Sequence, residues 1–362
     1  MLWICKQCGF RESVRKYYWR CPKCGAPLDV EYEGSWNPRG KGLARYASSL
    51  PVSPTKTLGE GLTPIVKMKI NKIKIWFKLE YLNPTGSFKD RGASLSLYFA
   101  KKLGYKTAVE DTSGNTGIAV TAYANLYDLK SIIYMPKQAP KGKKNLVKIL
   151  GGEVIEAPSR AEASKMVLEK IKEPGVFYVA HIWSPLFIEG NKTIAYEAFE
   201  QGFKHGVLAV PIGSGGLLLG VYRGYKDLFN WGLVKEIPFI LGIQGCSVQP
   251  VYTAIYGKPL ECGESTLADG IMVSNPPRVK EVVDVIKRYG NIVLVNNDEI
   301  IKALKILYKH GLIVEPTSAA VLAGILKALD YGIIDPGDNV LALLTGSGLK
   351  THDILDKFLN SR

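Results

Sequence analysis

The 362-residue sequence lacks any apolar run long enough to cross a membrane. Its longest runs, Val207 to Ile212 and Val340 to Leu344, have the length of strands, whereas a membrane-spanning helix needs about 20 apolar residues. The N-terminus also lacks a basic stretch followed by a continuous apolar segment, which is the pattern of a secretion signal. We therefore predict a cytoplasmic protein that does not enter a membrane.

Low-complexity tracts and internal repeats are missing as well, and the composition is 46% hydrophobic and 22% charged. Both values are ordinary for globular domains, so disordered and fibrous classes of protein are excluded. The formal charge of +14 could attract nucleic acid, but only Lys137 to Lys144 is a dense basic cluster. We expect a solvated basic surface without a nucleic-acid partner, and an anionic small-molecule substrate would suit the same charge.

Cysteine is scarce beyond the first 24 residues, which contain four of the six. These four form two Cys-x-x-Cys pairs, each followed by a glycine, and two such turns can surround a zinc ion with four thiolates. Disulfides or a redox motif are alternatives, but doubled pairs without a secretion signal favour zinc. The predicted ligands of a structural Zn²⁺ ion are Cys5, Cys8, Cys21 and Cys24. Cys246 and Cys262 are interpreted as isolated core or surface thiols without a role.

The remaining chain alternates predicted strands with predicted helices. Residues 34 to 60 are rich in Gly, Pro and Ser and predict a linker. Helices are predicted after Phe88 and over 118–126, and the predicted strands are 73–79, 106–110, 129–134, 206–212, 239–244, 292–295 and 340–344. Strands and helices in alternation are typical of parallel sheets packed between helices, so the predicted fold class is α/β.

A lysine follows the first of these strands, within the stretch NPTGSFKDRG at residues 83–92. Ser87 and Asp90 have the spacing of a capping box for the next helix. Lys89 would then lie in the first helical turn, where the helix dipole disfavours an ammonium and favours a neutral, nucleophilic amine. Taken alone, the pattern also fits a surface lysine.

Two further loops, TSGNTG at 112–117 and GSGG at 213–216, join a predicted strand to a predicted helix. The second would place bare backbone N–H groups at a helix N-terminus, which favours phosphate binding. It is not the nucleoside-triphosphate loop, because no Gly-Lys-Ser/Thr follows, and Leu218 stands where a nicotinamide-binding loop needs glycine. Each loop alone also fits an ordinary strand-to-helix turn.

In combination, the lysine and the loops resemble the fold-type II pyridoxal-phosphate enzymes, which include tryptophan synthase β-subunits, cysteine synthases and serine/threonine dehydratases. Within that group the sequence is most similar to threonine synthases. An appended zinc ribbon also occurs in some threonine and cysteate synthases. The matching stretches run in family order from about residue 59 to 350 and are EGLTPI, KLEYLNPTGSFKDRGA, DTSGNTGIAV, FIEGNKTIAYE, PIGSGGLLLG, GIQG, VEPTSAAVLAG and LLTGSGLK.

The resemblance implies two parallel-sheet α/β domains with the cofactor between them, plus a small zinc ribbon. The implied division is a zinc ribbon at 1–33, a large PLP-binding domain at 34–88 and 200–362, and a small domain at 89–199. A homodimer is the family's expected state.

The resemblance also implies a set of residues that hold pyridoxal 5'-phosphate. Lys89 would carry it as a Schiff base and move the substrate α-proton. The other implied contacts are the ring hydroxyl with Asn115, the phosphate with Gly213, Ser214, Gly215 and Gly216, and the pyridine nitrogen with Thr345. A neutral hydroxyl at that nitrogen leaves a weak electron sink, which favours elimination and replacement over transamination.

The implied substrate is a phosphorylated amino acid, and the implied lyase reaction converts O-phosphohomoserine and water to threonine and phosphate. Residues implied to receive the substrate carboxylate are Ser113, Gly114 and Thr116. Glu315 and Thr317 would line the far wall, and Ser347 stands where many members have His or Asn.

The chain differs from the family in the residues that would bind the substrate phosphate. Threonine synthases commonly carry Asn-Ser-x-Asn-Pro-x-Arg-Leu-Glu-Gly, and this chain has His181, Ile182 and Phe187 at the first Asn, the Ser and the Arg positions. We expect Lys143 or His181 to bind the phosphate instead. Three alternatives stay open: β-replacement on O-phosphoserine to cysteine or cysteate, deamination of serine or threonine, and a zinc-ribbon protein that binds nucleic acid without catalysis.

Overall fold

The structure is a computed structural model and describes residues 1–351. Its first half contains β1 (Leu2–Ile4), β2 (Arg11–Ser13), β3 (Asp29–Glu31), β4 (Ile65–Ile70), β5 (Ile73–Lys78), α1 (Lys89–Lys102), β6 (Thr107–Asp111), α2 (Asn115–Leu126), β7 (Lys130–Pro136), α3 (Lys141–Ile149), β8 (Glu153–Ala157), α4 (Arg160–Lys170), β9 (Val176–Tyr178) and α5 (Pro185–Glu200). Its second half contains β10 (Val207–Pro211), α6 (Gly216–Asn230), β11 (Phe239–Gly245), α7 (Pro250–Tyr256), α8 (Val279–Tyr289), β12 (Gly290–Val295), α9 (Asn297–Lys309), α10 (Pro316–Asp330) and β13 (Val340–Leu343). Short 3₁₀ helices occur at Leu43–Ser49, Glu80–Leu82, Asp269–Ile271 and Gly348–Lys350.

The chain forms two compact units. Unit 1 consists of Met1–Leu62 and Asn83–Thr193, and unit 2 consists of Thr63–Leu82 and the chain from Ile194 onward. The predicted α/β fold class is confirmed, because each unit contains a sheet of mainly parallel strands joined through helices. Within residues 1–351 no helix combines the length and the apolar character that a membrane crossing needs.

Unit 1 is built on a four-stranded parallel sheet with the order β8-β7-β6-β9. One hydrophobic cluster of this sheet joins Val109, Ile132 and Tyr178 to the α4 residues Ala163 and Val167. The central strands β6 and β7 are buried along most of their length, as expected for a parallel sheet covered by helices.

Unit 2 is built on a six-stranded sheet with the order β12-β11-β10-β13-β5-β4. Its strands are parallel except for the edge strand β4, which pairs with β5 in antiparallel register. The nearly all-buried helix α10 packs against β10, β11, β12 and β13, and it shares a large apolar cluster with these strands. This helix therefore forms the centre of the core of unit 2.

The N-terminal ribbon is an antiparallel sheet with the order β2-β1-β3 that packs into unit 1 through aromatic side chains. Trp3 is fully buried and makes edge contacts with Tyr17 and with Phe99 of α1. Trp19 contacts Tyr178 and Trp183. The ribbon is thus covered on one side by apolar residues of unit 1.

The compact units differ from the implied domains mainly in residues 34–62, which we expected in the large domain and which lie in unit 1; residues 83–88 and 194–199 also lie in the other unit. Hydrogen bonds explain the position of residues 34–62. The buried carboxylate of Glu60 accepts from the hydroxyls of Ser94 and Tyr123 at 2.6 and 2.9 Å, and Lys56 O accepts from the Tyr127 hydroxyl. These partners lie on α1 and at α2, so the segment follows those helices.

One sequence interpretation is wrong: Cys246 and Cys262 are joined in a disulfide rather than isolated. The loop between them folds back on itself, which brings the two cysteines together. Its two arms exchange hydrogen bonds, because Ser247 N donates to Ser265 Oγ and Ser265 N donates to Ser247 Oγ, at 2.9 and 2.8 Å.

Candidate active site and metal centre

Four loops of unit 1 begin at the carboxyl ends of its four parallel strands. Ser113 follows β6, Lys143 follows β7, Arg160 follows β8 and His181 follows β9. The carboxyl ends of parallel strands lie at one edge of a sheet, where open α/β folds bind their ligands. The topology therefore gathers three of the predicted substrate residues, and one that was not predicted, at the same edge.

Lys89 is the first residue of α1, so its predicted place in the first helical turn is confirmed. The predicted capping box is wrong, because no side chain caps this helix. The Asp90 carboxylate instead accepts from the backbone N–H of Thr85 at 2.7 Å and from the Thr85 hydroxyl, which closes the preceding turn. The buried Ser87 hydroxyl has no hydrogen-bond partner within residues 1–351, and a ligand bound at this loop could supply one.

Glu110 and His181 form a hydrogen-bonded pair near Lys89. Glu110 Oε1 lies 2.5 Å from His181 Nδ1, and the carboxylate is fully buried while the imidazole is 10% exposed. Burial raises the pKa of Glu110 well above its ordinary value, and the negative charge of Asp111 adds to this effect. Burial also lowers the pKa of His181 well below its ordinary value, with the positive charges of Lys89 and Arg160 acting in the same direction. Both shifts favour the uncharged form of each side chain. When Glu110 is protonated, its hydroxyl donates to Nδ1 and the N–H donor of His181 lies on the outer nitrogen.

The loop at Ser113 and Gly114 is surrounded by cationic side chains. Gly114 lies directly under the side chain of Lys143, since a Cβ at Gly114 would come within 2.1 Å of Lys143 Cδ. Lys143 is only 2% exposed. Arg160 Nη2 lies 3.5 Å from Ser113 Oγ, the outer limit of a hydrogen bond. Thr116, the remaining predicted carboxylate contact, is buried in the first turn of α2.

Asn115 begins α2, with Gly114 before it at φ 160°. Free N–H groups at a helix N-terminus bind anions, so this turn suits a carboxylate or a phenolate oxygen.

The glycine loop of unit 2 is shaped by close packing. A Cβ at Gly213 would lie 2.5 Å from Gly270 O, and a Cβ at Gly215, which has φ +86°, would lie 2.3 Å from Val282 Cγ2. A Cβ at Gly216 would lie 3.7 Å from Ser214 Oγ, an ordinary contact distance. A glycine-rich turn at a helix N-terminus fits a phosphate group.

Thr345 is connected to this glycine loop through neighbouring residues of unit 2. It follows β13, which pairs with β10, and its hydroxyl lies 3.2 Å from Ser318 Oγ on α10. The adjacent Thr317 accepts from the N–H of Gly270 at 3.1 Å, and Gly270 packs on Gly213. The hydroxyl of Thr345 therefore lies at the edge of the unit 2 sheet where β13 and β10 end, which is also where the glycine loop begins.

Glu315, the other predicted wall residue, and Ser347 both have structural contacts. A Cβ at Gly346 would come within 2.2 Å of the Glu315 carboxylate, so this side chain lies against the backbone after Thr345. Ser347 Oγ accepts from Leu349 N at 3.3 Å and caps the following 3₁₀ helix.

The four N-terminal cysteines form a compact cluster whose Sγ atoms all lie within 4.8 Å of one another. Two of the Sγ distances, Cys5 to Cys24 and Cys8 to Cys21, are 3.6 Å. Four thiolates at a Zn–S distance of about 2.3 Å in a tetrahedron are about 3.8 Å apart. The donor set and the spacing thus fit a closed zinc site, and Gly9 and Gly25 have the positive φ that the turns require.

Sequence reasoning missed Glu110 and Arg160. The signal for Glu110 was a pair of acidic residues at the end of an otherwise apolar strand. The signal for Arg160 was weaker, because an arginine after a capping serine is common at the start of a helix on the surface.

A separate cavity of about 660 Å³ in unit 2 is lined by His205, Glu236, Lys287 and Arg288. It lies where β10, β11 and β12 begin, at the amino ends of the strands. None of the predicted site residues lines it.

Sequence comparisons agree with this arrangement. Residues 56–346 match the family described as pyridoxal-phosphate dependent enzyme. The chain is 30% identical to a threonine synthase of Methanocaldococcus jannaschii, over 98% of this chain and 94% of that protein. It is 32% identical to a threonine synthase of a Bacillus species, over 86% of this chain and 90% of the relative.

Solved structures with the same fold carry several activities. A cystathionine β-synthase of Helicobacter pylori that depends on O-acetylserine is 25% identical, with a TM-score of 0.67 over 80% of this chain and 94% of that one. A maize serine racemase is also 25% identical, with a TM-score of 0.68 over 82% of this chain and 91% of that one. With its matched sequence, its fold and its lysine at the start of α1, the chain belongs to the pyridoxal-phosphate-dependent enzyme family.

Proposed function

We propose that this enzyme is a threonine synthase, which converts O-phosphohomoserine and water to threonine and phosphate. The observation that carries the proposal is the set of groups at one edge of the unit 1 sheet. There the backbone of Gly114 lies against the buried cation Lys143, and His181 lies within electrostatic reach of Lys89. An amine, a carboxylate-binding turn and cationic side chains are what a phosphorylated amino acid requires. Relatives named threonine synthase support the choice, since one of them matches nearly the whole chain.

The residues that we propose for the cofactor are Lys89, Asn115, Gly213 to Gly216 and Thr345. Bound pyridoxal phosphate supplies an electron sink that weakens the bonds at the substrate α-carbon. Lys89 would hold the cofactor covalently and then carry the α-proton on its amine. Thr345 would present a neutral hydroxyl, held by Ser318, to the pyridine nitrogen. The division into a large cofactor-binding domain and a small domain stays a prediction from the family.

The substrate would be oriented by contacts at both of its ends. Ser113, Gly114 and Thr116 would receive the carboxylate at the start of α2. Lys143 and the N–H donor of His181 would hold the phosphate. Such contacts restrict the orientation of the substrate, and orientation lowers the barrier by making the reacting groups effectively intramolecular.

β-Replacement on O-phosphoserine is the second candidate function. The family's arginine position holds Phe187, which is 2% exposed. Because phenylalanine is apolar, this position supplies no cation to a phosphate. Structures of the same fold include an enzyme that depends on O-acetylserine. A shorter phosphorylated substrate would use the same carboxylate and phosphate contacts.

Phosphate release by the purified holoenzyme tests the proposal. We expect turnover of O-phosphohomoserine with threonine as product, and much slower release from O-phosphoserine. Turnover of O-phosphoserine or free serine, with none of O-phosphohomoserine, would overturn the threonine synthase assignment. Borohydride reduction followed by peptide mapping tests the cofactor separately, and the pyridoxyl group is expected on Lys89.

We also propose one structural zinc ion, bound by Cys5, Cys8, Cys21 and Cys24, because the cluster has the donors and the spacing of such a site. The cytoplasmic location and the homodimer stay predictions from the sequence.

A further inference from the structure

The position of Arg160 is set by the start of α4 and by the strand order of unit 1. Ser159 caps α4 by accepting from Glu162 N, so the helix begins at Arg160 directly after β8. This strand is next to β7 and parallel to it, and β7 is next to β6. The side chain of Arg160 reaches across these strand ends to Ser113, where its Nη2 lies 3.5 Å from Oγ.

Position 187, where threonine synthases commonly carry an arginine, cannot serve the phosphate in this chain. Phe187 packs on α1 so closely that a Cβ at Gly92 would lie 2.2 Å from its Cδ1. Its ring also makes an edge contact with the imidazole of His181, with centroids 6.0 Å apart. The phenylalanine thus fills the interior and forms one wall beside His181.

Burial lowers the pKa of His181, and the positive charges of Lys89 and Arg160 act in the same direction. Lys143 lies against Gly114. Ser113 and Gly114 belong to the turn proposed for the carboxylate, so an anionic group bound next to that turn would meet the cationic side chains of Arg160 and Lys143.

We propose that Arg160 binds the phosphate of the substrate and replaces the cation that Phe187 no longer provides. A guanidinium offers two parallel N–H donors to a phosphate monoester, which gives orientation as well as attraction. The inference rests on the proposed function in that it takes a phosphorylated amino acid as substrate. It does not depend on which phosphorylated amino acid is turned over.

Binding to the holoenzyme, followed by the cofactor absorbance, tests this role. The ligands are O-phosphohomoserine, O-phosphoserine and unphosphorylated homoserine. The variant is Arg160→Gln, and the matched control is Lys165→Gln, which removes the same charge from an exposed position on the same helix. Arg160→Lys keeps the charge without the paired donors. The cofactor spectrum and the melting temperature of each variant report whether it is folded.

We expect Arg160→Gln to weaken binding of the phosphorylated amino acids by about tenfold or more and to leave homoserine binding unchanged, because a charge-assisted pair of bonds is lost. The affinity of Arg160→Lys should lie between those of Arg160→Gln and the wild type, and the affinity of Lys165→Gln should match that of the wild type.

If Arg160→Gln weakens the binding of homoserine equally, the arginine holds the carboxylate and the inference is wrong. It is also wrong if Arg160→Gln changes nothing or if the wild type does not prefer phosphorylated ligands. Tight, Arg160-dependent binding of O-phosphohomoserine without turnover would instead refute the threonine synthase proposal alone.

Discussion

At the scale of single residues, the site depends on charges that burial has altered. Glu110 is fully buried beside His181, and neither the ionised carboxylate nor the imidazolium is well solvated there. A hydrogen bond that shares one proton satisfies both groups without leaving a net charge on the pair. The hydrogen bond then orients the imidazole, so under the proposed function Glu110 would act on the substrate only through His181.

The pH dependence of stability should reveal the proton on Glu110. Because the pKa of Glu110 is raised in the folded protein, the unfolded chain loses this proton first as the pH rises above about 4.5. The stabilising effect of the proton is therefore complete below that pH and is lost as the pH rises through the folded value. Glu110→Gln cannot ionise. The difference between its unfolding free energy and that of the wild type should therefore increase with pH in favour of the variant, by at most about 1.4 kcal/mol per pH unit.

Denaturant unfolding of the holoenzyme between pH 5 and pH 8 measures this difference. Glu169→Gln removes an exposed carboxylate and serves as the control. An equal pH dependence of the wild type and Glu110→Gln would contradict a raised pKa at Glu110.

At the scale of elements, α1 and α5 approach each other more closely than a side chain would allow. A Cβ at Gly190 of α5 would lie 2.4 Å from Arg91 O and 2.9 Å from Gly92 N, both on α1. The guanidinium of Arg91 is buried and donates to Thr193 Oγ1 at 2.8 Å, one turn further along α5. This contact fixes the position of α1, whose first residue is Lys89.

Gly190→Ala should destabilise the protein although alanine is the better helix former. The alanine preference is worth up to about 1 kcal/mol, and the backbone clash costs more, about 2 kcal/mol or above. Urea unfolding measures the change. Gly337→Ala is the matched control, since a Cβ there meets nothing within 4 Å. A Gly190→Ala variant as stable as the wild type would show that the helices separate at no cost.

At the scale of the whole molecule, the N-terminal ribbon with its four cysteines is part of unit 1 rather than an independent appendage. Trp3 is fully buried against Phe99, and Tyr17 stacks on Phe177 with centroids 4.2 Å apart. Phe99 lies on α1, ten residues after Lys89. Removal of residues 1–33 would therefore expose buried aromatic rings of unit 1.

Loss of zinc should lower the stability of the protein. Cys24→Ser removes one thiolate, and metal binding contributes roughly 10 kcal/mol or more to the folding of small zinc modules. We expect loss of the zinc ion and a melting temperature lower by about 5 °C or more. Elemental analysis and thermal unfolding check both, with Lys23→Ser in the same turn as the control. A zinc-free wild type, prepared under reducing conditions, would contradict the site.

Much of this architecture could be predicted from the sequence, because it depends on local pattern. Short aliphatic runs between helical stretches predicted β5, β6, β7, β10, β11, β12 and β13, with ends that differ by one or two residues from those observed. Spacing predicted the cysteine cluster, since two residues on one turn fix where a pair of thiolates points. The place of Lys89 in the first turn of α1 was predicted correctly even though the proposed cap was not.

Contacts between distant parts of the chain were decided by the tertiary structure. Glu110 and His181 are 71 residues apart, and Cys246 and Cys262 meet only because their loop folds back. Arg160 reaches Ser113 from 47 residues away, since parallel strands bring their carboxyl ends to one edge whatever their order in the chain. Local propensity acts over a few residues, whereas burial, and with it the pKa of a buried group, depends on what packs around it. The sequence by itself determined the elements and the loops that carry chemistry, and the tertiary structure decided which side chains share a site.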